Sequence, residues 1–295
     1  MNNKKKKLVP YAFLAPFLIL SVIFTLGPML YVFWISFQNM SFLNISNSEF
    51  VWLENYKNVL QDSSFVKAML NNLKLIVTAV PLLICISLAL AVLLNSKIKF
   101  RGFFRSAYYF PYVVSPIALG VIIVQLFSKD NFVSQFFAKL GFAEISWHTA
   151  MPYAFVLIVL IVIWSQVGFY MVLYLSSLQN ISTEYYEAAT LDGATKWQQF
   201  RYITLPLLNP TTYLVVFMCL LATLQIFDQP YVISTTGGAS AGSPGQGTLT
   251  MVMYIYEKAF RYHEMGPASA AAFIVFILIF ILGLVQNFVA GKENN

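Results

Sequence analysis

The sequence predicts an all-α membrane protein with six transmembrane helices. Of its 295 residues, 59% are hydrophobic and only 10% are charged, whereas a soluble domain carries about 25% charged residues. The mean hydropathy is +0.70, and six apolar segments are long enough for membrane-crossing helices of roughly 20 residues. These figures exclude a soluble globular domain, a disordered chain, a collagen and a disulfide scaffold. The six segments cover 11–37, 70–95, 107–127, 151–178, 206–228 and 268–290.

The positive charges predict which side of the membrane each connection faces. With the N-terminus inside, the inner pieces hold 11 of the 18 Lys and Arg residues but only 4 of the 12 acids. Because inner connections of membrane proteins are enriched in Lys and Arg, both termini are expected in the cytoplasm. This asymmetry also accounts for the net charge of +6 without a nucleic-acid partner. The inner pieces are 1–10, 96–106, 179–205 and 291–295.

The expected parts follow in order along the chain. The first apolar segment comes after Lys4 to Lys7, but it is too long for a signal peptide and lacks a cleavage site, so it is expected to stay as an anchor. Pro111 and Pro116 predict kinks in the third segment. The five parts are a basic cytoplasmic N-terminus, a first transmembrane helix, an extracytoplasmic loop, a five-helix core with the inner loop 179–205, and a cytoplasmic tail, at 1–10, 11–37, 38–69, 70–290 and 291–295.

The sequence shows no reaction chemistry of its own. It contains no G-x-x-x-x-G-K-[ST] loop, so any ATP is expected to be bound by another chain. No nucleophile–base pair lies within the apolar segments, where Cys85 and Cys219 read as buried thiols. His148 and His263 lie far apart, without the spacing of metal ligands. We therefore expect no catalytic residue, no metal, no cofactor and no enzyme activity in this chain.

The third inner piece is too long for a turn, and its pattern predicts two short helices. Ser182 or Thr183 can cap the first helix, which ends at Gly193, where a positive φ is required. Thr195 opens the second helix with Gln198 three residues later, which is the spacing of a capping box. By this pattern alone, an interfacial element that packs on its own bundle is as good an interpretation as a contact for another protein.

The same inner loop carries a sequence motif that meets all seven specified positions of E-A-A-x3-G-x9-I-x-L-P, with Glu187, Ala188, Ala189, Gly193, Ile203, Leu205 and Pro206. In this motif and over nearly the whole chain, the sequence resembles the permeases of ABC importers, in particular sugar-importer permeases of the maltose and glycerol-phosphate type. The resemblance implies the type I ABC importer permease fold. Because the tail lacks the glycine-rich motif of second permeases, the chain resembles the first permease of a pair.

An outer segment carries the same resemblance with one departure. Residues 50–56 look like the F-x-G-L-x-N-Y pattern that precedes the second transmembrane helix in this family. Trp52 stands where that pattern has glycine. The departure bears on the shape of an outer loop and leaves the inner motif intact.

The resemblance implies a complex in the cell membrane of a prokaryote. Its other members would be a second, homologous permease, two copies of a cytoplasmic ABC ATPase that bind ATP and Mg, and an extracytoplasmic solute-binding protein. The cargo would be a mono- or oligosaccharide or a related polyol, and membrane lipid would surround the helices. The inner loop would be a coupling helix in a cleft of the ATPase. The residues of that contact would be Tyr186, Glu187, Ala188, Ala189, Asp192 and Gly193.

Polar and aromatic side chains in the fourth and fifth apolar segments are candidates for substrate contact. Polar groups are costly near the middle of a membrane, and sugars are bound by hydrogen-bonding groups together with flat rings. The candidates are Ser165, Gln166, Phe169, Tyr170, Thr223, Gln225, Phe227 and Asp228. The structural alternative is that Gln and Thr join neighbouring helices while aromatic residues anchor the ends of spans.

A different class of function is an ATP-independent secondary carrier for a small solute. Such carriers usually place acids, histidine or broken helices near the middle of the membrane. The apolar segments show no charged residue at that depth and no inverted repeat. The sequence therefore favours the ATP-driven importer.

Overall fold

The computed structural model describes residues 13–43, 48–96, 99–142 and 145–293, and helices make up nearly all of its regular structure. The chain divides into two compact units, one formed by Met1–Asp62 with Ile255–Phe276 and the other by Ser63–Tyr254 with Ile277–Asn295. The expected basic N-terminus with Lys4 to Lys7 lies outside the described residues, as do Lys97 and the last two residues of the tail, 294–295.

Long apolar helices confirm the all-α membrane fold, with one correction. The third segment, expected as one helix over 107–127, is two helices bent by 97°. Five single helices are long and apolar enough to cross a membrane, and the bent pair makes a sixth crossing when it is taken as one span. The single helices are Phe13–Ile35, Ser63–Asn95, Tyr153–Gln179, Asn209–Gly238 and Met265–Phe288.

The first unit begins with helix α1, Phe13–Ile35, which contains a π-helical turn at Val22–Leu26. Helix α2, Glu54–Gln61, follows the outer pattern of residues 50–56. Asn55, which is buried, donates hydrogen bonds to the carbonyl oxygens of Ser36 at 2.9 Å and Gln38 at 2.8 Å. The asparagine of the outer pattern therefore ties the end of α1 to the start of α2.

Trp52 has a positive φ of 52°, a conformation that is uncommon for residues other than glycine. A positive φ is the conformation that favours glycine, which the pattern has at this position. The indole is exposed and makes an edge contact with Phe50, with ring centroids 4.9 Å apart.

The second unit contains most of the helices. Helix α3 packs along α7, and between them lie fully buried Leu75, Leu83 and Ile161. Helices α12 and α13 contain the points at which the chain passes between the units. The helices are α3 Ser63–Asn95, α4 Arg101–Val113, α5 Pro116–Leu126, α6 Phe132–Lys139, α7 Tyr153–Gln179, α8 Thr183–Leu191, α9 Lys196–Gln199, α10 Asn209–Leu224, α11 Asp228–Thr235, α12 Met251–Tyr256 and α13 Met265–Glu293.

The two cysteines differ in their surroundings. Cys219 is buried on α10, as expected, whereas Cys85 is exposed on the outward side of α3. An apolar run in a membrane helix has a face for lipid as well as a face for protein, and the sequence did not separate the two. The expectation of a buried thiol was therefore wrong for Cys85.

Candidate functional site

The third span is interrupted between α4 and α5. Pro116 is the first residue of α5, and a residue that precedes proline is disfavoured in the helical conformation. Ser115, which precedes the proline, accordingly has a non-helical ψ of 127°, and Val114 is extended with a ψ of 143°. The kink predicted from the prolines is thus a complete break in the helix.

The fifth span is also interrupted, between α10 and α11. Pro230 lies in the first turn of α11, where its ring and its missing N–H prevent a continuous helix past Ile226. The span expected over 206–228 therefore has regular helix from Asn209 to Leu224 and a non-helical link before Asp228.

A cavity of about 300 Å³ lies beside these two breaks, within the second unit. Helix α7 forms one wall, and the residues around each break form the others. All thirteen described residues that line the cavity are uncharged. They are Pro111, Tyr112, Val114, Pro116, Leu119, Ser165, Gln166, Phe169, Tyr170, Met218, Leu221, Ala222 and Gln229.

The lining combines flat rings with hydrogen-bonding groups. The rings of Tyr112 and Phe169 are stacked, with centroids 4.6 Å apart and an angle of 13° between their planes. The hydroxyl of Tyr170 donates to the side-chain oxygen of Gln166 at 3.2 Å. Because that oxygen is engaged, the amide nitrogen of Gln166 is the group left to donate to a molecule in the cavity. Buried Gln229 supplies a second amide.

The structure separates the sequence-predicted substrate residues into two groups. Ser165, Gln166, Phe169 and Tyr170 of α7 line the cavity, whereas the four candidates of the fifth span are absent from its described lining. The sequence placed the fifth-span candidates by continuing one helix through Asp228, and the break changes that register. The four that lie elsewhere are Thr223, Gln225, Phe227 and Asp228.

Each of these four residues has another setting. The hydroxyl of Thr223 donates to the carbonyl of Cys219 at 2.8 Å, within its own helix. Gln225 is exposed just after α10, Phe227 stacks on Tyr231 with centroids 5.0 Å apart, and Asp228 begins α11. Their role in substrate contact stays a prediction.

Sequence reasoning missed the contribution of the third span to the cavity. Tyr112 and the two prolines of the third span line the cavity. So does Gln229, which follows Asp228, the last of the predicted substrate residues. The available signal was the pair Pro111 and Pro116, since unusually interrupted apolar segments point to sites in transporters.

Gly168 on α7 positions the third span against the cavity. A Cβ atom at this glycine would lie 1.9 Å from the carbonyl oxygen of Tyr108 on α4. Only a residue without a side chain permits this approach between the two helices. Tyr112, one turn further along α4, is thereby brought to the ring of Phe169.

The inner loop has the predicted local structure. Ser182 caps α8 by accepting a hydrogen bond from the N–H of Glu184 at 3.3 Å. Gly193 has a φ of 79° just past the end of α8, so the predicted requirement for a positive φ is confirmed. The capping box predicted for Thr195 and Gln198 is also confirmed, because both of its hydrogen bonds are present.

The surface of this loop carries the predicted coupling residues and additional apolar side chains. Glu187, Ala188, Asp192 and Gly193 are exposed, whereas Tyr186 and Ala189 are half-buried. Leu191 is 90% exposed, and Tyr185 and Trp197 are exposed as well. A groove of about 510 Å³ is lined by Thr183, Tyr186, Glu187, Thr190, Leu191 and Lys196.

The hydroxyl of Tyr186 points into the protein. It lies 2.9 Å from the hydroxyl of Thr204, at the end of the π-helical turn Phe200–Thr204. Buried Gln199 donates to the hydroxyl of Thr190 at 2.8 Å. These hydrogen bonds join α8 to the segment that returns to the membrane. The Tyr186 side chain therefore stabilises the loop through a contact within this chain, although the sequence offered it as a contact for another chain.

Among the described residues, no group of three or more His, Cys, Asp or Glu side chains is arranged to hold a metal ion. His148 lies in the 3-10 turn Trp147–Thr149 with a buried Nδ1 that has no hydrogen-bond partner in the described part of the chain. Burial lowers the pKa of His148 below its usual value because the charged form loses its hydration.

The chain matches known transport proteins over nearly its whole length. Residues 82–293 match the sequence profile of the family described as binding-protein-dependent transport system inner membrane component. The chain belongs to this family. It is therefore a multi-pass membrane permease of a binding-protein-dependent transport system.

Two relatives are sugar permeases by name. The permease is 34% identical over 290 residues to the arabinooligosaccharides transport system permease protein AraP of Bacillus subtilis (strain 168), covering 97% of this chain and 90% of the relative. It is 31% identical over 292 residues to the lactose transport system permease protein LacF of Rhizobium radiobacter, covering 96% of this chain and 94% of the relative.

The fold of the permease is also found in a solved structure. A bacterial ABC transporter involved in the import of the acidic polysaccharide alginate has a chain that superposes with a TM-score of 0.85 at 21% identity. The match covers 99% of the permease and 98% of the other chain. The type I importer fold expected from the sequence is thereby confirmed.

Proposed function

We propose that this permease is one of two homologous subunits that form the membrane pathway of an ATP-driven sugar importer. The cargo is a mono- or oligosaccharide or a related polyol, which the names of the arabinooligosaccharide and lactose permeases support. Two copies of a cytoplasmic ABC ATPase bind ATP and Mg, and this chain catalyses no reaction. An extracytoplasmic solute-binding protein delivers the cargo.

The cavity between the two helix breaks is the proposed sugar-binding site of this subunit. Its stacked rings of Tyr112 and Phe169 suit the flat C–H face of a sugar ring. Ser165, Gln166 and Gln229 suit its hydroxyl groups. An uncharged lining suits an uncharged cargo, because a buried ion without a partner is strongly disfavoured.

The inner loop is the proposed coupling element for the ATPase. Exposed Glu187 and Ala188 with Asp192 and Gly193 form its contact surface, and Leu191 provides an apolar side chain for a pocket of the partner. Exposed Tyr185 and Trp197 lie on the same loop, and Tyr and Trp are enriched among the residues that carry most of the binding energy of protein interfaces.

One observation carries this proposal: the same helix reaches both sites. Helix α7 lines the cavity with four residues, Ser165, Gln166, Phe169 and Tyr170. It continues without interruption to Gln179, three residues before the cap of α8. The distance along the helix from Gln166 to Gln179 is about 20 Å. A rigid-body movement of α8 is therefore transmitted directly to the cavity wall.

The proposed orientation places both termini and the coupling element in the cytoplasm of a prokaryotic cell. The excess of Lys and Arg in the inner pieces supports it, since 11 of the 18 positive charges are assigned there. The outer loop 38–69 and the outer part of the chain after α11 then face the solute-binding protein.

Affinity purification from the native membrane in mild detergent, followed by mass spectrometry, tests the proposal. Recovery of an ABC ATPase and a second permease is the expected result. ATP-dependent sugar uptake by the reconstituted complex completes the test. If the chain transported a sugar alone in proteoliposomes without ATP, it would be a secondary carrier and the proposal would be wrong.

A further inference from the structure

The break in the fifth span leaves backbone carbonyl groups without helical partners. In a continuous helix, the carbonyl of Thr223 would accept from residue 227 and that of Ile226 from residue 230. Residue 230 is proline, which has no N–H, and the helix ends at Leu224. A carbonyl without a donor is costly in a membrane interior, so these groups need other partners.

Asn72 on α3 supplies one of these partners. Its side chain is fully buried, and its amide nitrogen donates to the carbonyl of Thr223 at 2.8 Å. Its amide oxygen accepts from the N–H of Met251, the first residue of α12, at 2.9 Å. One side chain thus satisfies the last turn of α10 and the first turn of α12 together.

Thr250 supplies the second partner. Its hydroxyl donates to the carbonyl of Ile226 at 2.9 Å, and the hydroxyl oxygen accepts from the N–H of Met253 at 3.3 Å. Thr250 is also fully buried. Asn72 and Thr250 reach the break from different elements, so hydrogen bonds from two sides stabilise the interrupted fifth span.

The position of this break determines which residues of the fifth span line the cavity. The last turns of α10 carry Leu221 and Ala222, and the first turn of α11 carries Gln229. All three line the cavity, whereas Asn72 and Thr250 do not touch it in the described part of the chain. We propose that Asn72 and Thr250 are positioning residues that set the cavity by capping the broken fifth span. This inference rests on the cavity being the transport site.

Asn71 provides a matched control on the same helix. It is also buried, and it donates to the carbonyls of Gln246 at 2.8 Å and Leu249 at 3.0 Å, both in the outer segment before α12. It makes two side-chain hydrogen bonds, whereas Asn72 makes three, and neither of the two reaches the break. A variant of Asn71 reports the loss of buried hydrogen bonds to the segment that ends beside Thr250, while the freed carbonyls keep their partners.

The test measures the position of Gln229 without any cargo. The full chain carries Gln229→Cys as a probe, with Cys85→Ala and Cys219→Ala, in membrane vesicles, and its rate of reaction with N-ethylmaleimide is measured. Asn72→Leu is expected to raise that rate by at least about tenfold, because it removes the hydrogen bonds to Thr223 and Met251 and the loss of one buried hydrogen bond already brings a shift of that size. Asn71→Leu is expected to change the rate much less.

Thr250 keeps the test decisive if Asn72→Leu fails to insert. Thr250→Val, which removes the hydroxyl at nearly constant shape, is expected to raise the labelling rate, and Thr250→Ser is expected to restore it. An unchanged rate in Asn72→Leu and Thr250→Val, or an equal rise in Asn71→Leu, would overturn the inference. The labelling needs neither ATPase nor sugar, so a failure of the proposed function would show separately, in the purification and uptake experiments.

Discussion

Replacing Gly168 by alanine tests how the cavity wall is built. The new Cβ atom would lie 1.9 Å from the carbonyl oxygen of Tyr108, 2.5 Å from its carbonyl carbon and 2.8 Å from the Cα of Tyr109. All three obstacles are backbone atoms of α4, so no side-chain rotation relieves the contact. Helix α4 has to move away from α7.

The size of the movement follows from these distances. Real Cβ contacts are not shorter than 3.0 Å, so the oxygen of Tyr108 has to retreat by at least the difference between 1.9 and 3.0 Å. Overpacking of this kind costs about 1–3 kcal/mol of stability. Tyr112 lies one turn further along α4, so the stacked contact with Phe169 at 4.6 Å is lost with it.

The assay combines thermal stability of the purified complex in nanodiscs with ATP-dependent sugar uptake. Gly168→Ala is expected to lower the melting temperature and to impair uptake strongly. Gly283→Ala is the control, because its Cβ would meet the ring of Phe217 at an ordinary 3.6 Å. A Gly168→Ala complex as stable and active as Gly283→Ala would refute the argument that a close helix contact builds the cavity wall.

Three further predictions concern coupling and cargo binding. Gly193→Asp is expected to abolish uptake while the chain stays in the membrane. Gly193→Asn is the control and is expected to retain most uptake, because asparagine has the shape of aspartate without the charge and tolerates a positive φ. An equal loss of uptake in both variants would refute the role of charge. Tyr186→Phe removes the hydrogen bond to Thr204, which contributes about 0.5–1.5 kcal/mol to stability. The amount of sugar transported per ATP hydrolysed is therefore expected to fall. Tyr185→Phe, at an exposed position, is the control and is expected to leave that ratio unchanged. Gln166→Ala is expected to weaken uptake at low cargo concentration without changing recovery of the ATPase, and an unchanged half-saturation concentration would remove this residue from the site.

Local patterns predicted the inner loop well because its structure depends on neighbours in sequence. The cap at Ser182, the capping box of Thr195 with Gln198 and the positive φ of Gly193 are each set within four or five residues. The direction of the Tyr186 side chain is different. It depends on a hydroxyl 18 residues away on a segment folded back against α8, which no local pattern reports.

The sequence predicted the α7 residues that line the cavity but missed the lining residues of the third and fifth spans. The reason is again that a sequence pattern reports local structure only. On an unbroken helix, spacing in sequence gives the face, so Gln166 and Tyr170 were placed together correctly. At Pro116 and Pro230 the helical period ends, and each residue beyond the break points in a direction set by the packing of another element. Gln229 entered the site in that way. Tyr112 lies on α4 before the break, and the close approach of α4 to Gly168 places it there.

The sequence by itself determined that this chain is a membrane bundle and a transport permease. Apolar length decides which segments cross a bilayer, and the motif from Glu187 to Pro206 is read from neighbouring residues alone. Only the tertiary structure decided at which residues the helices of the spans are interrupted and which side chains stabilise the interruptions. Carbonyls freed near Thr223 find a donor in Asn72, which lies 151 residues earlier in the chain, because a membrane interior offers no water to take its place.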